Sequence, residues 1–273
     1  MLRSIALCAL FVVLFCSAAF ARAPVAPKVE STSTQGPALD PADILGLAAA
    51  TVTRAESVKA AGNLEVWYPF HYSSALTVLA ARNGDERVEM ATKMREDTVK
   101  SLEVISGGIL WTESQTPTGP LVTKVDLSQV KKSLAAEHKA SPALPLLGTN
   151  ALYDLSNLAK VVSFNGAYEQ AAGASKEYVL VGSLKPQFTT DNPLPLAAQR
   201  FYKTVIVAVD AKDFFPRRIE LGREGNHPLL KLEFTDVELN APLPQDAFKY
   251  TVPEGADVID RTDWTISELE KGR

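Results

Sequence analysis

Residues 74–95 read SALTVLAARNGDERVEMATKMR, and their pattern decides the fold class. Asn83-Gly84-Asp85 is a strong hairpin-turn signal, because Asn and Gly tolerate the positive φ that a tight two-strand turn demands. After it the period is two. Val88, Met90, Thr92 and Met94 share one face; Arg87, Glu89, Lys93 and Arg95 lie opposite, with Ala91. That is an antiparallel strand, dry on one side and wet on the other. Ser74 to Ala81 is the strand that pairs with it.

Working outward, a period of two begins near Leu64. Further strands are predicted at Leu102–Ser106, Ile109–Glu113 and Leu121–Asp126, with Gly107-Gly108 joining the first two. After a Gly/Ala-rich turn at 171–174, strands are predicted at Tyr178–Leu184, Phe201–Val209, Arg217–Arg223 and Leu229–Val237. In the last, Leu230, Leu232 and Phe234 alternate with Lys231, Glu233 and Thr235. Residues 247–260 read AFKYTVPEGADVID. Here Phe248–Val252 is predicted as a final strand, stopped by Pro253-Glu254-Gly255, and a second apolar step follows at Val258-Ile259.

Helices interrupt this pattern. Asp40-Pro41 is an N-cap followed by proline at the first helical position, and it opens an amphipathic helix from Pro41 to about Glu56. The region 127–161 carries two more helical patterns, separated by Pro142 and Pro145. Pro186 to Pro195 reads as a loop. The fold class is therefore α+β: a strongly curved antiparallel sheet with one apolar face, against which a few helices bury their stripes.

The N-terminus predicts export. Arg3 is followed by an apolar run from Ser4 to Phe15, and Ala19-Phe20-Ala21 fits a signal-peptidase site. Cleavage after Ala21 gives the domain plan: signal peptide 1–21, flexible tether 22–40, main domain 41–260 and a C-terminal tail 261–273. An uncleaved anchor is the other reading of the same run. Both cysteines, Cys8 and Cys16, lie in the leader, so the mature chain has no disulfide, thiol nucleophile or cysteine metal site. Of 273 residues, 252 remain, and the formal charge moves from −4 to −5 as Arg3 leaves. An acidic surface argues against nucleic acid as the main partner.

Catalytic signals are absent: the chain has no G-x-S-x-G, H-E-x-x-H, phosphate loop or dinucleotide fingerprint. The three histidines, His71, His138 and His227, stand in separate segments. His71 sits among aromatics and reads as packing. The acidic residues read as solvated charge. No metal site and no cofactor are expected, and the chain is read as a non-enzyme. The distinctive feature is instead a curved apolar face partly covered by helices, which leaves a greasy cavity. Its lining candidates are Val88, Met90, Met94, Leu230, Leu232 and Phe234. The two methionines suit variable apolar guests and equally suit ordinary core.

Several segments, in order, resemble the periplasmic outer-membrane lipoprotein carrier family (LolA-like). Glu56-Ser57-Val58 with Ala60 and Leu64 to Tyr68 is similar to its first helix-to-strand entry. Leu102 to Trp111 is similar to its glycine-turn hairpin, and Pro253-Glu254-Gly255 with Val258 to its closing segment. The resemblance covers roughly 41–260. It implies an incomplete, unclosed β-barrel covered by helices. The implied function is to carry lipidated proteins or other hydrophobic cargo towards the outer membrane, between an inner-membrane release complex and an outer-membrane receptor. It also implies a lid-holding arginine. The positional match is Arg82, although the family's Arg-Pro is here Arg82-Asn83-Gly84, and a merely solvated Arg82 is the other reading. Two more functional readings stay open: an envelope sensor or adaptor on the same fold, and a hydrolase of envelope lipids or glycans.

Overall fold

The computed structural model describes residues 40–67, 71–94, 97–116, 119–136, 158, 162–173, 175–185, 203–223 and 227–271. The leader, the tether and most of the 137–161 and 186–202 regions lie outside them.

Helix α1, Pro41–Arg54, starts where its cap predicts: the Asp40 carboxylate accepts from the Ala42 N–H at 2.8 Å. Six strands follow as successive hairpins: β1 Ser57–Val66, β2 Tyr72–Ala81, β3 Glu86–Met94, β4 Asp97–Ser106, β5 Ile109–Thr116 and β6 Gly119–Asp126. Helix α2, Leu127–Ala136, follows β6 directly. Then come β7 Val162–Ala172, β8 Ser175–Leu184, β9 Thr204–Asp210, β10 Pro216–Arg223, β11 His227–Leu239, the short β12 Asp257–Asp260 and helix α3, Thr262–Lys271.

All twelve strands form one sheet, in the order β12-β6-β5-β4-β3-β2-β1-β11-β10-β9-β8-β7. Every neighbouring pair is antiparallel except β12–β6, which is parallel, so the sheet is mixed rather than purely antiparallel. It is unclosed, with β12 and β7 as its edges. Its curvature follows from the core. One apolar cluster joins α1 to residues of β1, β2, β3 and β7 to β11. Laid flat, eight strands span about 34 Å. A 14-residue helix is only about 21 Å long and about 10 Å wide. The sheet must curl for one helix to fill it.

Alternation and register agree across the curve. Val88 faces Val78, and Met90 faces Leu76; Leu76 in turn faces Gly62, which faces Phe234. A bulge on β11 then shifts the phase. Gly62 pairs with Phe234 but Ala61 with Asp236, which leaves Thr235 unmatched. The dry face thus passes from Leu230, Leu232 and Phe234 to Val237 and Leu239. Gly62 is required there, because a Cβ would lie 2.2 Å from the Glu233 carbonyl oxygen.

Three expectations need correction. Phe248–Val252 is not a strand. It belongs to a strap over the outer face of the sheet, with Tyr250 stacked on Trp111 at 5.1 Å and its hydroxyl donating to Glu113 at 3.1 Å. Side-chain contacts hold it where a ladder was expected. The turn that follows is as read: Gly255 has φ 74, and the Ala256 N–H donates to the Pro253 carbonyl at 3.1 Å. Second, residues 262–271, read as tail, form α3. Its N-terminus is capped by Asp260, whose carboxylate accepts from the Thr262 N–H at 3.0 Å. That bond, the Thr262 hydroxyl and Lys124 hold the Asp260 carboxyl down at about 2. Third, β7 escaped the sequence reading altogether.

Candidate functional site

The inner face of the sheet divides in two. Over β1, β2 and β7 to β11 it is filled by α1. Ile44, Leu45 and Val52 are 4%, 3% and 2% exposed, and Ala48 is fully buried. Burying three such side chains stabilises by roughly 1.5–3 kcal/mol each. Lifting α1 would cost most of that sum, so α1 is core rather than a lid that opens cheaply.

The other half, over β3 to β6, is different. The α1 cluster takes in no residue of β4, β5 or β6 among the described residues. Register defines the rows of this face. One runs Val88, Glu103, Thr112, Thr123; the next runs Met90, Ser101, Ser114, Leu121. All of these are half-buried except Val88, which is buried. A third row, Glu86, Ile105, Leu110 and Val125, is closed at its far end, where Ile105, Leu110 and Val125 pack with Leu127 and Val130 of α2 and Ile266 of α3. This stretch of the inner face, here termed the trough, is flanked by α1 and bounded at one end by α2 and α3 among the described residues. Its floor is amphipathic: Met90 and Leu121 alternate with serines, threonines and a carboxyl.

That carboxyl is Glu103. It stands between Val88 and Thr112, with Glu86 diagonal to it on β3. Protein surrounds it on nearly all sides, yet it keeps some accessible surface. Burial, with a smaller contribution from the Glu86 charge, pushes its carboxyl up to about 7. Glu86 itself is 6% exposed. Reading the acidic residues as solvated therefore fails at these two positions. The cause is a reversal of face polarity between β3 and β4. Val104, fully buried, points outward beside Trp111, which Tyr250 of the strap covers, and this turns Glu103 inward.

The predicted lining residues separate on the two halves of this face. Val88, Leu230 and Phe234 are buried in the α1 cluster, and Leu232 and Met90 pack partly buried against it. Phe234 meets Phe215 edge-on at 5.9 Å, so its surroundings are already filled. Of the six, Val88 and Met90 also lie in the trough rows, and of these two Met90 is the half-buried one. Met94 ends β3, and its side chain lies outside the described residues. Arg82 is exposed. Its guanidinium meets the Glu56 carboxylate at 2.6 Å, with the two side chains 61% and 68% exposed. It bridges the β2–β3 turn to the end of the α1–β1 connection through a carboxylate; an exposed pair of this kind contributes little. His71 is exposed and stacked on Trp67 at 5.8 Å. Among the described residues no helix is long and apolar enough to cross a membrane.

No protein-family model matches the chain, and no curated protein matches it. Solved structures do. An uncharacterized conserved protein from Thermus thermophilus superposes with a TM-score of 0.51 at 13% identity, over 81% of this chain and 98% of that one. MucB superposes with a TM-score of 0.45 at 14% identity, over 77% of this chain and 62% of that chain. A LolA superfamily protein from Nitrosomonas europaea follows at 0.31 and 16% identity, over 78% and 99%. The likeness to the Thermus protein is one of fold.

Proposed function

We propose that the chain is a periplasmic carrier that holds lipidated proteins or another hydrophobic ligand against the inner face of β3 to β6, for transfer towards the outer membrane. The observation that supports this most is the divided sheet face. One half is packed by α1, while the other presents half-buried Ser101, Ser114 and Leu121, which join no core cluster among the described residues, with Met90 at the boundary between the two. The export leader and the family resemblance support the same reading. It assigns the chain no reaction and no cofactor. Its partners are acyl chains, with a release complex and a receptor at the two membranes.

The test is binding of an environment-sensitive fatty-acyl dye. Met90→Glu should abolish dye binding while leaving far-ultraviolet circular dichroism unchanged, since Met90 is only partly buried and a charge in an apolar contact is costly. A folded Met90→Glu protein that binds dye like the wild type would place the ligand elsewhere. A sensor reading is favoured by one observation, the Glu103 carboxyl on the floor, which lets occupancy respond to pH near neutrality. Release of lipoprotein from isolated inner membranes separates the two readings: a carrier releases it, whereas a sensor instead holds one protein partner stably.

A further inference from the structure

Among the described residues the sheet has two unpaired edges, and they are unlike. β12 is four residues long and carries an aspartate at each end. Antiparallel contact between two copies there would set Asp257 against Asp260, like charge against like charge, so this edge is protected. β7 has no such protection. It is eleven residues long, contains no proline, and bears one charge, Glu169, already paired with Lys176 at 2.5 Å. Ser163, Asn165, Tyr168, Gln170 and Ala171 are exposed. Gly166 is exposed too, and a Cβ on it would meet nothing within 4 Å, so the space beside the backbone is open. A bulge at Asn165 is the one irregularity. Tyr168, opposite Val179, is 50% exposed, the largest exposure of any large apolar residue described.

A long, nearly uncharged edge is a template for another strand. The strand on hand with matching character is β7 itself. We infer that β7 pairs antiparallel with β7 of a second copy of the chain, about a two-fold axis at Tyr168, so that one sheet runs through the dimer. That axis sets the two Tyr168 rings against each other as a cross-strand aromatic pair. It sets Glu169 against Ala167 of the other copy, so no like charges meet. An axis at Glu169 would oppose two carboxylates. Edge pairing alone covers less than the roughly 1,600 Å² of a standard interface, so the dimer is reversible and concentration-dependent. The inference does not depend on the carrier reading.

Sedimentation equilibrium of the purified chain tests it. Wild type should show a monomer–dimer equilibrium. Tyr168→Lys and Tyr168→Glu should each weaken it about tenfold, from loss of the aromatic pair and like-charge contact on the axis. Mixing the two variants should restore association through a Lys–Glu pair. Both replace a half-exposed side chain, and circular dichroism checks that they fold. A wild type that stays monomeric at the highest attainable concentration overturns the inference. So does a dimer indifferent to Tyr168→Lys, or a pair of monomeric variants that do not associate when mixed.

Discussion

Glu103→Gln is expected to stabilise the protein by about 3 kcal/mol at pH 8 and to leave its stability unchanged at pH 4. The direction follows from the carboxyl's place on the trough floor. Its ordinary value is 4.5, and the fold raises it to about 7. Below 4.5 the group is protonated in both folded and unfolded chains and costs nothing. Between 4.5 and 7 the unfolded chain ionises while the folded one keeps its proton, so stability falls as pH rises. Above 7 the folded protein carries the charge and the loss is complete. Glutamine has the shape without the charge and removes this slope. Urea unfolding of both proteins at the two pH values measures it. A stability difference that is the same at pH 4 and pH 8 would show that Glu103 is not burying its charge.

Phe215→Ala should be the most destabilising single change in the core. The ring is fully buried, contacts Phe234 edge-on at 5.9 Å and lies under the Arg217 guanidinium at 5.5 Å. Truncating such a ring typically costs about 3–5 kcal/mol, a large part of the stability of an ordinary domain. The melting temperature should fall by about 10 °C in a chain of this size. Because Phe215 sits on the α1 side, the trough should keep its ligand affinity below the new melting point. Calorimetry together with dye binding checks both. Near-native melting would mean that the α1 cluster is not the stabilising core.

Where turn chemistry and alternation agreed, the sequence was readable. Asn83-Gly84-Asp85 and Gly107-Gly108 mark their hairpins because the backbone there takes positive φ, 90° at Gly84 and 58° and 81° at the glycine pair. Asp40-Pro41 marks the start of α1 through the cap itself. β7 left no such trace. An edge strand has little to bury, and Ala167, Tyr168, Gln170 and Ala171 show no dry face. Phe248–Val252 has the composition of a strand, but Tyr250 finds its partners on the outer face of β5, which no local pattern reveals. Glu103 is the clearest case at the site. A period of two separates the faces of β4 without saying which is inward. That is decided by the pairing of Glu103 with Val88 and by the strap that covers the Val104 side. The same limit explains why Leu230 and Phe234, read as lining, are core beneath α1 rather than trough floor.

Location of an acyl chain on the folded protein tests the central claim most directly. A stearate bearing a nitroxide near its methyl end broadens amide signals within reach of the spin label. The signals of Met90, Ser101, Glu103, Ser114 and Leu121 should broaden on titration, while those of Leu45 and Ala48 in α1 stay sharp. Broadening centred on α1, or on Trp111 and Val122 of the outer face, or no broadening at saturating stearate, would contradict a carrier that holds its cargo on β3 to β6.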